Sequence, residues 1–328
     1  MNERIAIFAT ADNTYVPHSV IALRSFQRWF SDCGYFLLGS RAAMSVQSMA
    51  FLRRYGIELI DVNDAARFAR PARYKNVNPP ECFYLFKGPE LLAERGYRYS
   101  LAVDGDVFCS RRFDLRAVCK GIQGFAGRPV GTLTRTLRNK QHQRNEEFDF
   151  GDQLVYDALG IDEETCRTRY EVNSGVVFWN NSAMAECRLF EKAVRLFENC
   201  HGCFRGDQEL LAFTAAVHSL PFSELDDSYN YNFFEDSLRV NHSFQEEMRR
   251  GRCQRIRIVH FVFSKPWRTP ASPSAVKAHF INEWRQFVLS ELGDGASTLF
   301  GDLSLVRVRH PISPFWNLLR AVRAGVGR

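Results

Sequence analysis

No stretch of this 328-residue chain approaches the ~18 uninterrupted apolar residues of a membrane-spanning helix, so no helical span is expected. The opening MNERIAIFATADNTY begins a strand within a few residues. It has no charged front, long apolar core or small-residue cleavage site, and no secretion signal is expected. The chain reads as soluble or peripheral. The first hundred residues contain neither GxGxxG nor GxxxxGK[ST], which disfavours a dinucleotide or P-loop site; a phosphate must be held in some other way. There is also no sign of a disulfide framework. The nine cysteines are odd in number and scattered through apolar contexts such as Cys82, Cys109 and Cys187, which fits a reducing cytosol. The one close pair, Cys200 and Cys203 in CHGC, has no second pair at zinc-finger spacing and reads as two partly buried free thiols.

What is present is an ordinary globular composition. At 45% hydrophobic the chain can bury one large core or two smaller ones. Lys plus Arg is 43 against 37 Asp plus Glu, and this net +6, concentrated toward the C-terminus, is too modest to imply nucleic acid. The first hundred residues alternate between two hydrophobic periods. RIAIFATA (4–11) is a short β-rich run, and VPHSVIALRSFQRWF (16–30) sets Val16, Val20, Leu23, Phe26 and Phe30 on one helical stripe. GYFLLG (34–39), a helical 41–55, IELIDV (57–62), a helical CFYLFKGPELLAERG (82–96) and YRYSLAV (97–103) repeat the pattern. Such βαβ units predict an α/β, Rossmann-like, mostly parallel sheet flanked by helices. Ligands in these sheets sit beyond the C-terminal strand ends, here Ala9 to Asp12 and Asp104 to Asp106.

The segment YSLAVDGDVFCSRRF (99–113) delivers two carboxylates from an apolar run. Alternate residues of a strand share a side, so Asp104 and Asp106 point together, and like charges held that close call for a cation. A divalent metal with oxygen ligands keeps coordination positions open for phosphate oxygens. By itself a lone DxD reads better as a pair of surface aspartates in a turn after a strand, since the pattern is short and recurs by chance. Three later segments add to it. YEVNSGVVFWNN (170–181) is a strand with a polar entry, Asn173-Ser174-Gly175, and a polar exit, Asn180-Asn181; a helix with Phe190, Ala193, Val194 and Phe197 on its buried stripe follows. RGDQELLAF (205–213) puts Asp207, as a capping oxygen, and Gln208 at a helix start among free backbone amides. IRIVHFVFSKPW (256–267) is a strand ending in His260, with Lys265-Pro266-Trp267 shortly beyond.

Asp104-Gly105-Asp106, Asn173-Ser174-Gly175, Asp207-Gln208 and His260 with Lys265-Pro266-Trp267, in that order, resemble glycosyltransferase family 8, retaining enzymes of the GT-A fold that include glycogenin and bacterial lipopolysaccharide galactosyl- and glucosyltransferases. FATADNTY resembles the family's opening nucleotide-binding strand, and the similarity runs over about residues 4 to 285. The resemblance implies that Asp104, Asp106 and His260 hold a divalent cation, Mn²⁺ or another such as Mg²⁺; two carboxylates with an imidazole suit Mn²⁺ better than an all-oxygen site. It implies that Thr10, Ala11, Asp12 and Tyr15 hold the uracil and ribose of a UDP-sugar, that Asp104 also lies near the ribose, and that Lys265 pairs with the diphosphate. Tyr15 keeps a second reading, a ring packed under the first helix. Asn173, Ser174, Asp207 and Gln208 would face the donor sugar, with Gln208 beside the anomeric carbon and Asp207 on the sugar hydroxyls. A neutral amide is a poor nucleophile, so stabilisation of the leaving UDP describes the chemistry better. The implied reaction moves galactose or glucose to a saccharide or lipid-linked glycan acceptor, in lipopolysaccharide or other cell-surface polysaccharide synthesis.

The chain departs from the family at HFVFSKPW, where Phe263 and Ser264 replace the usual glycine, and at Lys87, where some relatives carry arginine; Lys87 reads as a substitute or as a solvated helix lysine. A second Gly-Asp-Gln, ending in Asp152-Gln153, is an alternative sugar contact, and Asn230 or Asn232 matches a family asparagine. The segment 132–170 reads as a flap or a surface excursion. A nucleotidyltransferase and a noncatalytic sugar-binding protein are the alternative functions. Residues 1–290 are expected to form the catalytic domain and 291–328 a basic amphipathic tail. In that tail Phe315, Leu318, Leu319 and Val322 share a face flanked by arginines, a pattern for an anionic membrane surface or for docking on the protein's own core. The expected location is cytoplasmic, with peripheral attachment at the inner membrane face if the tail binds lipid.

Overall fold

The structure, a computed structural model, describes residues 3–68, 78–133, 159–200, 204, 206–232, 253–262, 265–268, 275–301 and 303–304. Asp152 and Gln153, most of the 132–170 segment, Cys203, Phe263, Ser264 and the tail pattern of 306–328 lie outside the described residues. The chain forms two compact units, residues 1–240 with 254–263, and 241–253 with 264–328.

The first unit is built on a seven-stranded sheet in the order β3-β2-β1-β4-β7-β6-β8. The strands are β1 (Ile5–Thr10), β2 (Gly34–Gly39), β3 (Glu58–Asp61), β4 (Tyr99–Val103), β6 (Phe125–Thr132), β7 (Tyr170–Asn180) and β8 (Phe222–Glu224). All run in one direction except β7, which is antiparallel to both its neighbours. The expectation of a mostly parallel α/β sheet is met.

Both faces are covered, as the unbroken apolar run of β1 demands, since its side chains point alternately to the two faces. Ile5, Ile7 and Ala9 join α1 (Val16–Gln27), whose Val16, Val20, Leu23 and Phe26 are fully buried. Ala6 and Phe8 join the opposite layer with α7 (Leu189–Asn199) and α8 (Asp207–Val217). The buried stripe of α7 contains the expected Phe190, Ala193, Val194 and Phe197.

Two expected helices are shorter than their hydrophobic patterns. In 41–55 a 3₁₀ turn, Arg41–Ala43, precedes α2 (Val46–Arg54), which starts where the Ser45 hydroxyl accepts from the Ser48 amide at 3.1 Å. In 82–96 a 3₁₀ stretch, Pro80–Phe86, gives way to α3 (Gly88–Glu94). The break falls at Gly88, where any Cβ would overlap the Phe8 ring, so the chain can lie directly on β1 only with glycine there. The polar exit of β7 is structural. Asn180 Oδ1 caps α6 (Asn181–Glu186) by accepting from the Ala183 amide, and Asn181 bonds Ser100 Oγ and the Tyr97 carbonyl.

A second, three-stranded sheet stands beside the first. Its order is β5-β10-β9, with β5 (Val107–Cys109) following the Asp104–Asp106 turn, β10 (Ile258–His260) antiparallel to it and β9 (Tyr231–Asn232) parallel to β10. Its register sets His260 opposite Val107 and Asn232.

The second unit contains α9 (Ala275–Leu292) and α10 (Ala296–Phe300). Rings of Trp267, Trp284 and Phe300 cluster in it. The buried Arg285 guanidinium donates to the carbonyls of Pro266 (2.9 Å), Arg268 (3.1 Å) and Ser304.

Candidate active site

Strand direction assembles the site. Because β7 runs against β4, its first residues lie beside the last residues of β4: Val103 pairs with Val176, and the Asp104 amide donates to the Gly175 carbonyl at 3.0 Å. Asp104 leaves the sheet there, and the chain turns through Gly105 into β5. The turn lies against the start of α1, since a Cβ on Gly105 would come within 3.1 Å of His18 Cβ and 3.2 Å of the Ser19 amide nitrogen. The second sheet then brings His260 back to the aspartates, tied by the Phe261 amide donating to the Asp106 carbonyl at 3.0 Å. His260 Nε2 lies 3.3 Å from Asp106 Oδ1 and 3.7 Å from Asp104 Oδ2. Asp106 and His260 are buried, whereas the Asp104 side chain is 45% exposed, so the cluster opens to solvent on the Asp104 side.

The protonation pattern follows from one backbone amide. An N–H only donates, so the Gly175 amide, 3.2 Å from Asn173 Oδ1, identifies that atom as the carbonyl oxygen. Asn230 Nδ2 donates to the same oxygen at 2.9 Å. His260 Nδ1 faces it at 2.9 Å and Asn230 Oδ1 at 3.3 Å, two acceptors, so Nδ1 carries a proton and Nε2 is the nitrogen turned to the aspartates. An imidazole that donates Nδ1–H to an amide oxygen and turns Nε2 toward carboxylates is oriented as a metal-ligating histidine is. One donor atom from each of Asp104, Asp106 and His260 falls within a 4.8 Å span. The residues therefore fit a divalent cation.

The other end of Asn173 reaches Gln208. Its Nδ2 donates to Gln208 Oε1 at 3.1 Å, and Gln208 Nε2 donates to Glu171 Oε1 at 2.6 Å. Gly206 occupies the cap position of α8, and Asp207, expected as the capping residue, is its first helical residue. The Asp207 carboxyl is buried, which raises its pKa to about 7; the Asp104 charge adds to the rise, while the Ser174 hydroxyl and the amides of Asp207 and Gln208 oppose it.

An unfolded aspartate titrates near ~3.9, so between about pH 4 and 7 the metal-free folded protein holds a proton that the unfolded chain has lost. Its stability is expected to fall as pH rises through that window and then level off. Asp207→Asn should flatten this slope, as read by denaturant midpoints in EDTA at several pH values.

The C-terminal end of β1 shares this edge of the sheet. Phe8 pairs with Ala102, which sets Thr10 level with Asp104. Ala11 is buried, and Asp12 Oδ1 accepts from the Tyr15 amide at 2.9 Å. Tyr15 is 46% exposed with its ring 5.3 Å from that of His18, so it is not packed under the first helix. Lys87 is turned toward Glu90 (3.3 Å) and the Phe190 ring (4.5 Å), and no described contact joins it to the carboxylates. Lys265 belongs to the second unit, 6.0 Å from the Trp267 ring centroid. Sequence reasoning missed Glu171 and the part played by Gly175. Glu171 stands two residues before Asn173 in a strand, hence on the same side, and that period was the available signal. Of Asn230 and Asn232, both buried, Asn230 is the one that meets Asn173 and His260.

No protein-family model and no curated protein matches the chain. Solved structures do match its fold. An active-site mutant of LgtC, with glutamate in place of a glutamine, aligns with a TM-score of 0.58 at 18% identity, over 86% of this chain and 95% of that one. The bifunctional glycosyltransferase WbbM, in its apo form, aligns with a TM-score of 0.61 at 13% identity over 93% of this chain and 52% of WbbM. The glycosyltransferase GlyE of Streptococcus pneumoniae aligns with a TM-score of 0.53 at 18% identity, over 92% of this chain and 62% of that one. The chain spans nearly all of LgtC and little more than half of the other two. It has the GT-A fold that these glycosyltransferases share.

Proposed function

We propose that the protein is a metal-dependent retaining glycosyltransferase that moves a hexose, galactose or glucose, from a UDP-sugar to a saccharide or lipid-linked glycan acceptor. The observation that carries this reading is the single network in which Asn173 presents His260 to Asp104 and Asp106 and at the same time holds Gln208. The glutamine substituted in the LgtC mutant is described as an active-site residue, and a second LgtC structure is a galactosyltransferase complex with donor and acceptor sugar analogs. On the resemblance in sequence, we assign Gln208 the active-site part in this chain.

Asp104, Asp106 and His260 would hold the cation, Mn²⁺ by the mixed carboxylate and imidazole donor set. When bound, that ion supplies positive charge against the diphosphate leaving group. The protein's own residues do the rest. Thr10, Ala11, Asp12 and Tyr15, at the end of β1, bind the nucleoside, and Tyr15 offers an exposed ring face to a base. Gln208 presents its carbonyl oxygen to the developing positive charge on the sugar, and Asp207 with Ser174 orients the sugar hydroxyls. Lys265 is assigned to the diphosphate on the sequence pattern alone, and Lys87 is a weaker candidate because Glu90 engages it.

No described helix is long and apolar enough to cross a membrane. Peripheral attachment through 306–328, and with it a lipid-linked acceptor, rests on the sequence pattern of that segment.

The test is UDP release from a panel of nucleotide sugars with Mn²⁺ and a mixture of glycan acceptors. A UDP-hexose is expected to turn over, to stop in EDTA and to recover on adding Mn²⁺. Undiminished turnover in EDTA would overturn the metal assignment, and pyrophosphate release from a nucleoside triphosphate and a sugar phosphate would make the protein a nucleotidyltransferase.

A further inference from the structure

Glu171, the second residue of β7, has been given no part in the chemistry of the site. Its carboxylate lies 2.6 Å from Gln208 Nε2, while Asn173 Nδ2 donates to Gln208 Oε1 at 3.1 Å. The side chain of Gln208 is thus held at both ends by two residues of one strand, Glu171 and Asn173. An amide is pseudo-symmetric, and a half-turn about its last bond exchanges oxygen for nitrogen. Asn173 cannot accept that exchange, because its oxygen is already fixed by the Gly175 amide and its NH₂ must face Gln208. Glu171 cannot accept it either, since an ionised carboxylate only accepts hydrogen bonds.

We propose that Glu171 is a positioning residue for Gln208, locking the amide with its oxygen toward Asn173 and polarising it for work at the sugar carbon; this rests on the reading of Gln208 given above. A hydrogen bond from Nε2 to a charged acceptor shifts amide electron density toward Oε1, and the bond donated by Asn173 into Oε1 pulls the same way, so the two reinforce each other. Oε1 becomes more negative without becoming a nucleophile. That helps only when positive charge develops on the sugar, so the effect belongs to the transition state and not to donor binding.

The test joins kinetics to a readout that needs no substrate. Glu171→Gln is nearly isosteric and leaves an uncharged acceptor; Glu171→Ala removes the acceptor. Hydrogen bonds to charged groups of this kind correspond to roughly 10- to 100-fold in rate. Glu171→Ala is expected to lower kcat by about that factor and Glu171→Gln by roughly 10-fold, with donor KM and the Mn²⁺ requirement changing less than about 3-fold. In a Gln208→Ala background Glu171→Gln should cost nothing further, since the residue acts through Gln208. In ¹⁵N-glutamine-labelled protein, the Gln208 side-chain NH₂ signal, assigned by its loss in Gln208→Asn, should carry one strongly deshielded, slowly exchanging proton. That proton should shift upfield and exchange faster in Glu171→Ala.

An unchanged NH₂ signal in Glu171→Ala overturns the proposal whether or not the protein turns over any sugar. So does a fall in kcat that persists undiminished in the Gln208→Ala background, or a KM effect with kcat intact. If Gln208→Ala itself leaves turnover intact while the Glu171-dependent NH₂ signal is present, the hydrogen bond stands and the catalytic reading of Gln208 fails.

Discussion

Asp106→Asn is expected to abolish the thermal stabilisation that Mn²⁺ gives the protein and to lower UDP-sugar turnover by at least about 100-fold, while leaving the metal-free protein no less stable than the parent. The combination is the diagnostic part. Asp106 is buried with its Oδ1 3.3 Å from His260 Nε2, and Asp104 and the buried Asp207 add acidic groups to the same region. Without a cation these carboxylates repel one another, and burial adds to the cost of charging them, as the raised pKa of Asp207 records. Asparagine keeps the shape and one acceptor oxygen and removes a charge, so the metal-free state loses repulsion.

Metal binding reverses the sign of that effect. A ligand at 100 times its dissociation constant stabilises a fold by about 2.7 kcal/mol, and for a chain of this class each kcal/mol moves Tm by roughly 2–4 °C. A shift of several degrees with Mn²⁺ is expected for the parent and none for the variant, measured by scanning calorimetry in EDTA and in saturating Mn²⁺. Retention of the full shift by Asp106→Asn would remove Asp106 from the ligand set. Asp104→Asn is a useful contrast: its side chain is 45% exposed, so its metal-free stability should move less although metal binding suffers as well.

The legibility of this fold in its sequence follows hydrophobic period closely. The strands of the first half and the stripe of α1 are written locally, because a strand buried on both faces leaves a short unbroken apolar run and a helix buried on one leaves a periodic stripe. The Asp104–Asp106 turn was legible for the same reason, as polar residues where the apolar run of β4 stops, and His260 as a lone polar residue set between Ile258-Val259 and Phe261-Val262. Strand direction leaves no such trace. The sequence marks Asn173-Ser174-Gly175 as a polar strand entry, and only the antiparallel course of β7 makes that entry a neighbour of the β4 exit. Gly88 is invisible for a related reason, since the need for glycine comes from Phe8, eighty residues away. Asn173 was expected to face the donor sugar, and the structure engages both ends of its side chain with protein partners. A residue that orients others looks in sequence like one that binds substrate, because both are polar residues at a strand end.

Gly175→Ala is expected to damage stability and metal binding together, for a cause that a second substitution can isolate. Gly175 lies in β7 with its carbonyl bonded to the Asp104 amide and its own amide bonded to Asn173 Oδ1. A Cβ there would overlap the His260 imidazole, at Cε1 and along the edge that carries both nitrogens. The backbone cannot retreat without breaking the β4–β7 pairing, so the ring must move. Its Nδ1 is held by Asn173 and its Nε2 faces the aspartates, so any movement costs one or both contacts. Overpacking a close-packed site costs typically ~1–3 kcal/mol, and a displaced Nε2 no longer completes the donor set. The single variant should therefore melt several degrees below the parent and show no Mn²⁺ shift. Removing the ring separates the two effects. In Gly175→Ala with His260→Ala the overlap is gone, so Tm in EDTA should return to or above that of His260→Ala alone, while the Mn²⁺ shift stays absent. If the double variant is no more stable than Gly175→Ala alone, glycine is required at this position by something other than the imidazole. If Gly175→Ala alone keeps both its stability and its Mn²⁺ shift, the close seat of His260 against β7 is wrong, and with it the route by which one backbone amide orients the metal site and Gln208.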